Sequence, residues 1–339
     1  MEKNDQITIL GITGYTGAWL AKTLTDRGYT NIVGTYRNPE KMTYLQQQLP
    51  NVTGFKADLL ASPDKVKPAI AGSRWVFNNS APFTGDEKTI ADFVATKVAM
   101  VNNLFKAIIA AGTVEKLVHI GSAAAIYMGI ADTSKTVIDE DTWPDLAHMD
   151  RQYEPFITMK VREEQRVREL ADLIDLDVTV LHPTNIVGPS FTPWQHDMIY
   201  AYLHGSQPLV EGPMDSVDVR DIAGIELALM TNPASNGKRV MGLGFTSTYQ
   251  QLETLTQQHL TTEQINTLFG DLPTIIPTQT ALTLWQPLAY TSFVKDQSWR
   301  LDPKSVLKTK YPEFYTYKYT DAQTTFTQAL DKMVADAQK

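Results

Sequence analysis

Three glycines recur at every third position in the stretch ITILGITGYTGAWL, residues 7–20: Gly11, Gly14 and Gly17. An apolar run precedes them and a helix-forming run follows. The first glycine can take a backbone angle closed to other residues. The second lets a phosphate approach the main chain, and the third lets the helix lie close to the strand. The helix start then offers free N–H groups and a positive dipole end to an anion. A turn of this kind, with Thr13, Tyr15 and Thr16 filling the gaps, fits a dinucleotide pyrophosphate, although the spacing is GxxGxxG rather than GxGxxG. After the second strand, where a carboxylate would accept from ribose hydroxyls, the chain has Arg37, with Lys41 just beyond. Two cations there pair with a 2′-phosphate, so the residues point to NADP rather than NAD; the alternative is a pair of solvated cations at a helix start. Asp58, with Leu59 beside it, can accept from an adenine amino group or serve as a loop cap.

The elements that must position these groups follow a strand–helix rhythm. Strands are expected at Ile7–Leu10, Asn31–Tyr36, Val52–Ala57, Arg74–Asn79, Lys116–Gly121, Asp177–Leu181 and Lys238–Leu243. Helices are expected from Gly17 to Arg27, after Pro39, from Glu87 to Ala111 and from Pro155 onward. Ser80-Ala81-Pro82 forms a tight exit from the fourth strand. Ser122 follows the fifth strand, at the sheet edge where open α/β folds place ligands. His182 to Pro189 is expected to leave the sheet, and Val217–Asp221 to open another helix. Asn103 reads as tolerated polarity within a helix. The alternation Arg162, Glu163, Glu164, Arg166 reads as a solvated face. From about Phe245 the rhythm stops, and Thr, Gln and scattered prolines dominate. The expected architecture is α/β: a doubly wound parallel sheet spanning residues 1–188, with 215–244 returning to it. Residues 189–214 and 245–339 form a small, mostly helical substrate lobe. Trp285, Tyr290, Phe293 and Trp299 are read as the core of that lobe.

The 339-residue chain is 43% hydrophobic and 20% charged, and carries a net charge of −8. An acidic chain of this kind is a poor non-specific nucleic-acid binder. It contains no cysteine, which excludes disulfides and thiol chemistry and suits a cytoplasmic location. The polar start MEKNDQ lacks a signal-peptide core, and the run from Leu117 to Ala131 is too short and mixed to span a membrane. The expected partner is a small molecule, with neither nucleic acid nor membrane involved. No metal site is expected, and His182 reads as a structural residue without ligand companions.

Taken together, these stretches resemble the extended short-chain dehydrogenase/reductase family, related to the NAD-dependent epimerases and dehydratases. The branch it looks closest to holds dihydroflavonol, cinnamoyl-CoA and bacterial aldehyde reductases. The resemblance is carried by GITGYTG at 11–17, Arg37, Asp58-Leu59, NSAP at 79–82, Ser122 after KLVHIG, HPTNIVGP at 182–189 and VDVRDIA at 217–223. It covers about the first seven-tenths of the chain. It implies a Rossmann-type fold, an NADP(H) cofactor held additionally by Ser80, Ala81, Pro82, Pro183, Thr184, Asn185 and Ile186, and a homodimer through the helices after strands four and five. It also implies a Ser/Tyr/Lys group. The serine orients a carbonyl, the tyrosine gives it a proton, and the lysine lowers the tyrosine pKa and holds the nicotinamide ribose. Ser122 and Lys160 match two of these positions.

The third position, four residues before Lys160, is Phe156. Phenylalanine cannot exchange a proton. Three consequences stay open on sequence alone. Another donor serves, with Tyr153 the nearest in sequence, Tyr127 next and water third. Or the reaction is hydride addition to an activated C=C bond. Or the chain binds NADP(H) without turnover, as sensors of the NmrA type do. The leading expectation is an NADP(H)-dependent oxidoreductase acting on a small or medium apolar carbonyl or enone. A nucleotide-sugar epimerase, which needs a tyrosine base more strongly, ranks behind the sensor.

Overall fold

The computed structural model describes residues 1–80, 86–127, 137–147, 154–193, 198–205, 209–277, 306–314 and 319–338. Ala81, Pro82, Tyr153 and the four aromatic residues of the expected lobe core lie outside these.

The first half alternates strand and helix. It runs β1 (Ile7–Leu10), α1 (Tyr15–Asp26), β2 (Ile32–Tyr36), α2 (Pro39–Gln48), β3 (Val52–Lys56), α3 (Pro63–Ile70), β4 (Trp75–Asn78), α4 (Ile90–Ala111), β5 (Lys116–Ile120) and α5 (Ala124–Tyr127). Then come β6 (Val137–Ile138), α6 (Glu154–Leu173), β7 (Asp177–Pro183), β8 (Asn185–Val187), α7 (Met198–Leu203), β9 (Leu209–Val210), β10 (Pro213–Asp218), α8 (Val219–Thr231) and β11 (Arg239–Gly242). The C-terminal part holds β12 (Phe245–Thr248), α9 (Tyr249–His259), α10 (Thr262–Leu268), β13 (Ile275–Ile276), β14 (Val306–Leu307) and α11 (Ala322–Ala337).

Seven parallel strands form the main sheet in the order β11-β7-β5-β4-β1-β2-β3. The order reverses between β1 and β4, which opens a crevice at the carboxyl ends of those strands. Its strands are near-continuous apolar runs because both faces are covered. One face packs α1, α2 and α8 around Ile9, Leu24, Phe77 and Ile225; the other packs α3, α4 and α6 around Leu10, Val76, Leu104 and Val167. Helix α4 is long and apolar enough to cross a membrane, yet Met100, Val101, Leu104, Phe105 and Ile108 are spent on this second core. It starts with a reciprocal Thr89–Asp92 capping box and stops at Gly112, whose φ of 64° terminates the helix.

Three expectations are corrected. His182–Pro183 stays in the sheet as the end of β7, and Asn185–Val187 pairs in parallel with β10. Val217–Asp218 ends strand β10, and the helix begins one residue later because Asp218 caps it, accepting from Arg220 N. Asn103 is more than tolerated: its amide donates to the carbonyls of Leu59 and Ala61, fastening the exit of β3 to α4.

Beyond the main sheet, β12-β10-β8 form a second small sheet. Helices α9, α10 and α11 build their own core with α7, around Leu252, Phe269, Phe326 and Leu330.

Candidate active site

The crevice is floored by the glycine turn. Gly11 adopts φ 78°, and a Cβ on Gly17 would stand 2.3 Å from the Gly11 carbonyl oxygen, so neither position accepts a side chain. Gly14 caps α1 without a side-chain hydrogen bond, and no acidic residue occupies the first turn. The N–H groups at that end therefore remain for an anion. A cleft of about 310 Å³ lies over it, bordered by Gly11, Thr13, Gly14, Arg37, Lys41, Asp58, Leu59, Asn79 and Ser80. Eight residues expected from the sequence thus converge on one cavity. Asn38 caps α2 and so fixes the turn carrying Arg37 and Lys41. Arg37 is largely exposed, with its guanidinium 3.8 Å from Asp58. Asp58 also caps its own loop, accepting from Leu60 N. The loop-cap reading of that aspartate is the one the hydrogen bond shows. A Cβ-free cradle, an open helix terminus and a cationic rim fit a phosphorylated dinucleotide.

A second cleft of about 520 Å³ opens at the ends of β5 and β7. Ser122, Tyr127, Phe156, Ile186 and Met198 line it, together with Tyr15, Pro183, Thr184 and Asn185. Phe156 is 43% exposed, so its ring faces open space where a phenol was expected. Ser122 Oγ accepts from Ala124 N, and the Ser122 carbonyl is 2.9 Å from His182 Nδ1. Thr184 and Asn185 are fixed by the neighbouring strands: Thr184 donates to Gly242 O and Asn185 donates to Asp215 O. Tyr15, expected to bind the cofactor, lines this second cleft and donates its hydroxyl to Gly188 O at 2.7 Å. Thr16 and Gly17 lie in the first turn of α1, with Gly17 buried.

Lys160 sits one helical turn after Phe156 but is only 7% exposed, and its ammonium turns inward to Glu163 Oε2 at 3.0 Å. Glu163 Oε1 lies 3.3 Å from His119 Nε2. His119 Nδ1 faces the Asn78 amide nitrogen at 2.9 Å, while Asn78 Oδ1 accepts from Ser80 N. That orientation makes His119 Nδ1 an acceptor and aims its Nε2–H at Glu163. Burial would raise the Glu163 carboxyl, but Lys160, His119 and Lys97 hold it down to about 2. Lys97, fully buried on α4, is pushed down to about 8 by desolvation against the pull of Glu163. Next door, Glu164 takes His182 Nε2 at 3.3 Å and the guanidinium groups of Arg168 and Arg239 at 2.9 Å each. Glu163 and Glu164 are each 1% exposed, which corrects the solvated-face reading of this segment. His182 is structural, as expected, and has its partner in Glu164. No local pattern marks these buried groups, since their partners come from β5, β7, β11 and α4.

A nucleotide cradle at the switch point of a parallel sheet, joined to a serine-bearing cleft at the next strand ends, defines a dinucleotide-dependent α/β oxidoreductase scaffold. The NAD dependent epimerase/dehydratase family model matches residues 7–244, and the chain belongs to that family. It is 29% identical to cinnamoyl-CoA reductase 1 of Arabidopsis thaliana over 244 residues, 69% of each chain. It is 25% identical to a putative anthocyanidin reductase of Ginkgo biloba over 291 residues, 79% of this chain and 84% of that one. In fold it is similar to the yeast methylglyoxal/isovaleraldehyde reductase solved with NADPH, with a TM-score of 0.74 at 17% identity, covering 97% of this chain and 98% of that one. Vestitone reductase from alfalfa superposes with a TM-score of 0.68 at 20% identity, covering 96% of this chain and 97% of that one.

Proposed function

We propose that the protein is an NADPH-dependent reductase of small or medium apolar carbonyl or enone compounds. The observation that carries this reading is the pairing of two clefts at one sheet edge. One has Arg37 and Lys41 on its rim. The other presents Ser122 among Phe156, Ile186, Met198, Ala124 and Ala201. Arg37 and Lys41 would hold the 2′-phosphate, and the α1 terminus the pyrophosphate. When bound, the nicotinamide supplies a hydride. Ser122 Oγ–H would orient the substrate oxygen, and the apolar wall would exclude water around it. Lys160 retains two ammonium protons beyond the one given to Glu163, enough to reach a ribose hydroxyl. Tyr153 lies outside the described residues. Tyr153 and Tyr127, the latter lining the second cleft five residues past Ser122, are the candidate proton donors. Residues 189–214 and 245–339 would supply the substrate-facing lobe.

A second reading, an NADP(H)-binding sensor without turnover, is favoured by the same Phe156 and by the inward turn of Lys160. NADPH oxidation with a panel of aldehydes, ketones and enones separates the two, using wild type, Y127F, Y153F and F156Y. Turnover by wild type that falls about 10²–10⁴-fold in Y127F supports the reductase with this donor. An equivalent fall in Y153F alone moves the donor to Tyr153. A silent wild type beside an active F156Y favours the sensor.

A further inference from the structure

Glu226 on α8 is a fully buried carboxyl that the chemistry above does not use. One oxygen, Oε2, accepts from Asn79 Nδ2 at 3.2 Å. Among the described residues the other, Oε1, has no hydrogen-bond partner, and neither has Asn79 Oδ1. With Glu226 ionised, both orphaned atoms are pure acceptors, each buried at full desolvation cost. A single proton on Oε1 resolves both. The acid O–H would then donate to Asn79 Oδ1 while Asn79 Nδ2 still donates to Oε2, a two-point acid–amide pair.

The ionisable groups on the surrounding elements are engaged elsewhere. On α1, Lys22 pairs with Asp26 at the surface and Tyr15 donates to Gly188. On β5, Lys116 gives its ammonium to Leu229 O, Asn232 O and Ser235, at the far end of α8. On β7, His182 faces Glu164 across the sheet. On β10, Asp215 takes Thr246 and Asp218 takes Arg220, while Asp221 of α8 is held by Thr320. Glu313, on the short helix Pro312–Phe314, is exposed. Among the described residues no cation acts on it, and burial pushes the Glu226 carboxyl up to about 8 against the Asn79 hydrogen bond.

Asn79 is part of the cofactor cleft. It lines the cavity beside Gly11 and Ser80, its N–H donates to Leu10 O, and its carbonyl stands 3.1 Å from where a Gly11 Cβ would lie. We propose that Glu226 is a positioning residue whose protonated form, through Asn79, holds the floor of the dinucleotide cleft in its binding shape, so that NADPH affinity is linked to one buried proton. The inference rests on the reading of that cleft as an NADPH site. Loss of the proton sets a carboxylate against the amide oxygen, and Asn79 must turn.

The test is NADPH binding followed by nucleotide fluorescence from about pH 6.5 to 9.5, with wild type and E226Q. Glutamine places an N–H where the acid O–H stood and cannot titrate. Wild-type affinity is expected to fall by up to tenfold per pH unit above about 8, and E226Q to bind as wild type does at pH 7 with this fall removed. Should E226Q fold poorly, E226L removes the pair and is expected to bind weakly at every pH. Infrared difference spectra, which need no cofactor, are expected to show a protonated-carboxyl C=O stretch at pH 7 that E226Q and E226L lack. Parallel pH profiles in wild type and E226Q, or absence of that band, overturn the proposal. No NADPH binding by wild type at any pH overturns the cofactor reading and the linkage together, whereas parallel profiles with binding intact overturn the linkage alone.

Discussion

Replacing Glu163 by glutamine removes the carboxylate that pairs with Lys160 while leaving its shape in place. Its carboxyl is held near 2 instead of the ordinary 4.5, because Lys160, His119 and Lys97 outweigh the burial that would raise it. That difference of about 2.5 pH units corresponds to about 3 kcal/mol of stability at neutral pH. The figure agrees with the 3–5 kcal/mol typical of breaking a buried pair from one side. The sign is fixed by the direction. A depressed carboxyl contributes fully above about 4.5 and loses its contribution as pH falls toward 2. E163Q should therefore unfold about 3 kcal/mol more easily than wild type at pH 7, with the gap closing in acid.

Lys97 adds an alkaline signature. Its folded pKa, near 8, lies below the ordinary 10.5, so its burial costs stability below 8, and the cost is relieved as pH rises from 8 to 10.5. Without Glu163 the ammonium is held less well and relief begins lower. The gap between the two proteins should thus narrow at alkaline pH as well. Urea unfolding monitored by circular dichroism near pH 3, 7 and 9.5 measures all of this. A loss under about 1 kcal/mol at pH 7, or a gap that does not change with pH, would show that water solvates the cluster and would refute the reasoning.

Arg37→Ala removes a charge-assisted contact worth about 1.5–3 kcal/mol, so NADPH affinity should fall roughly 10–100-fold with NADH affinity unchanged; parallel losses for both cofactors would place Arg37 elsewhere. Gly17→Ala forces a methyl to 2.3 Å from the Gly11 carbonyl. It should cost about 1–3 kcal/mol of stability and displace the phosphate turn, and a normal melting temperature with normal NADPH binding would contradict the close approach. Arg239→Met leaves Glu164 with Arg168 and His182 only. Its melting temperature should fall at neutral pH, because burial then opposes the Glu164 carboxylate with one cation fewer to hold it down, and the fall should shrink as Glu164 protonates in acid; a loss that does not depend on pH would deny that pairing.

The contrast between what was legible and what was not follows from where each side chain finds its partner. The glycine turn is local: Gly11, Gly14 and Gly17 meet one another within seven residues, and their spacing alone fixes the close approach of α1 to β1. Arg37, Lys41 and Asp58 are read as readily, since strand ends in a parallel sheet share one edge. The segment Arg162–Arg166 misleads because a run of alternating charges on a helix looks solvated, and most such runs are. Here the residues that answer those charges are His119 on β5, His182 on β7, Arg239 on β11 and Lys97 on α4, each at least 18 residues away in sequence. None of them signals a partner, because a lone buried lysine or histidine reads as an accident until the opposing carboxylate is placed. Phe156 and Glu163 bear on each other for the same reason. A phenol at 156 would have given Lys160 a polar neighbour on the cleft side. With phenylalanine there, the buried carboxylate one turn further along the helix is the partner the ammonium turns to. Phenylalanine at 156 is thus legible in the sequence, but the inward course of Lys160 to Glu163 appears only once helix and sheet are packed together.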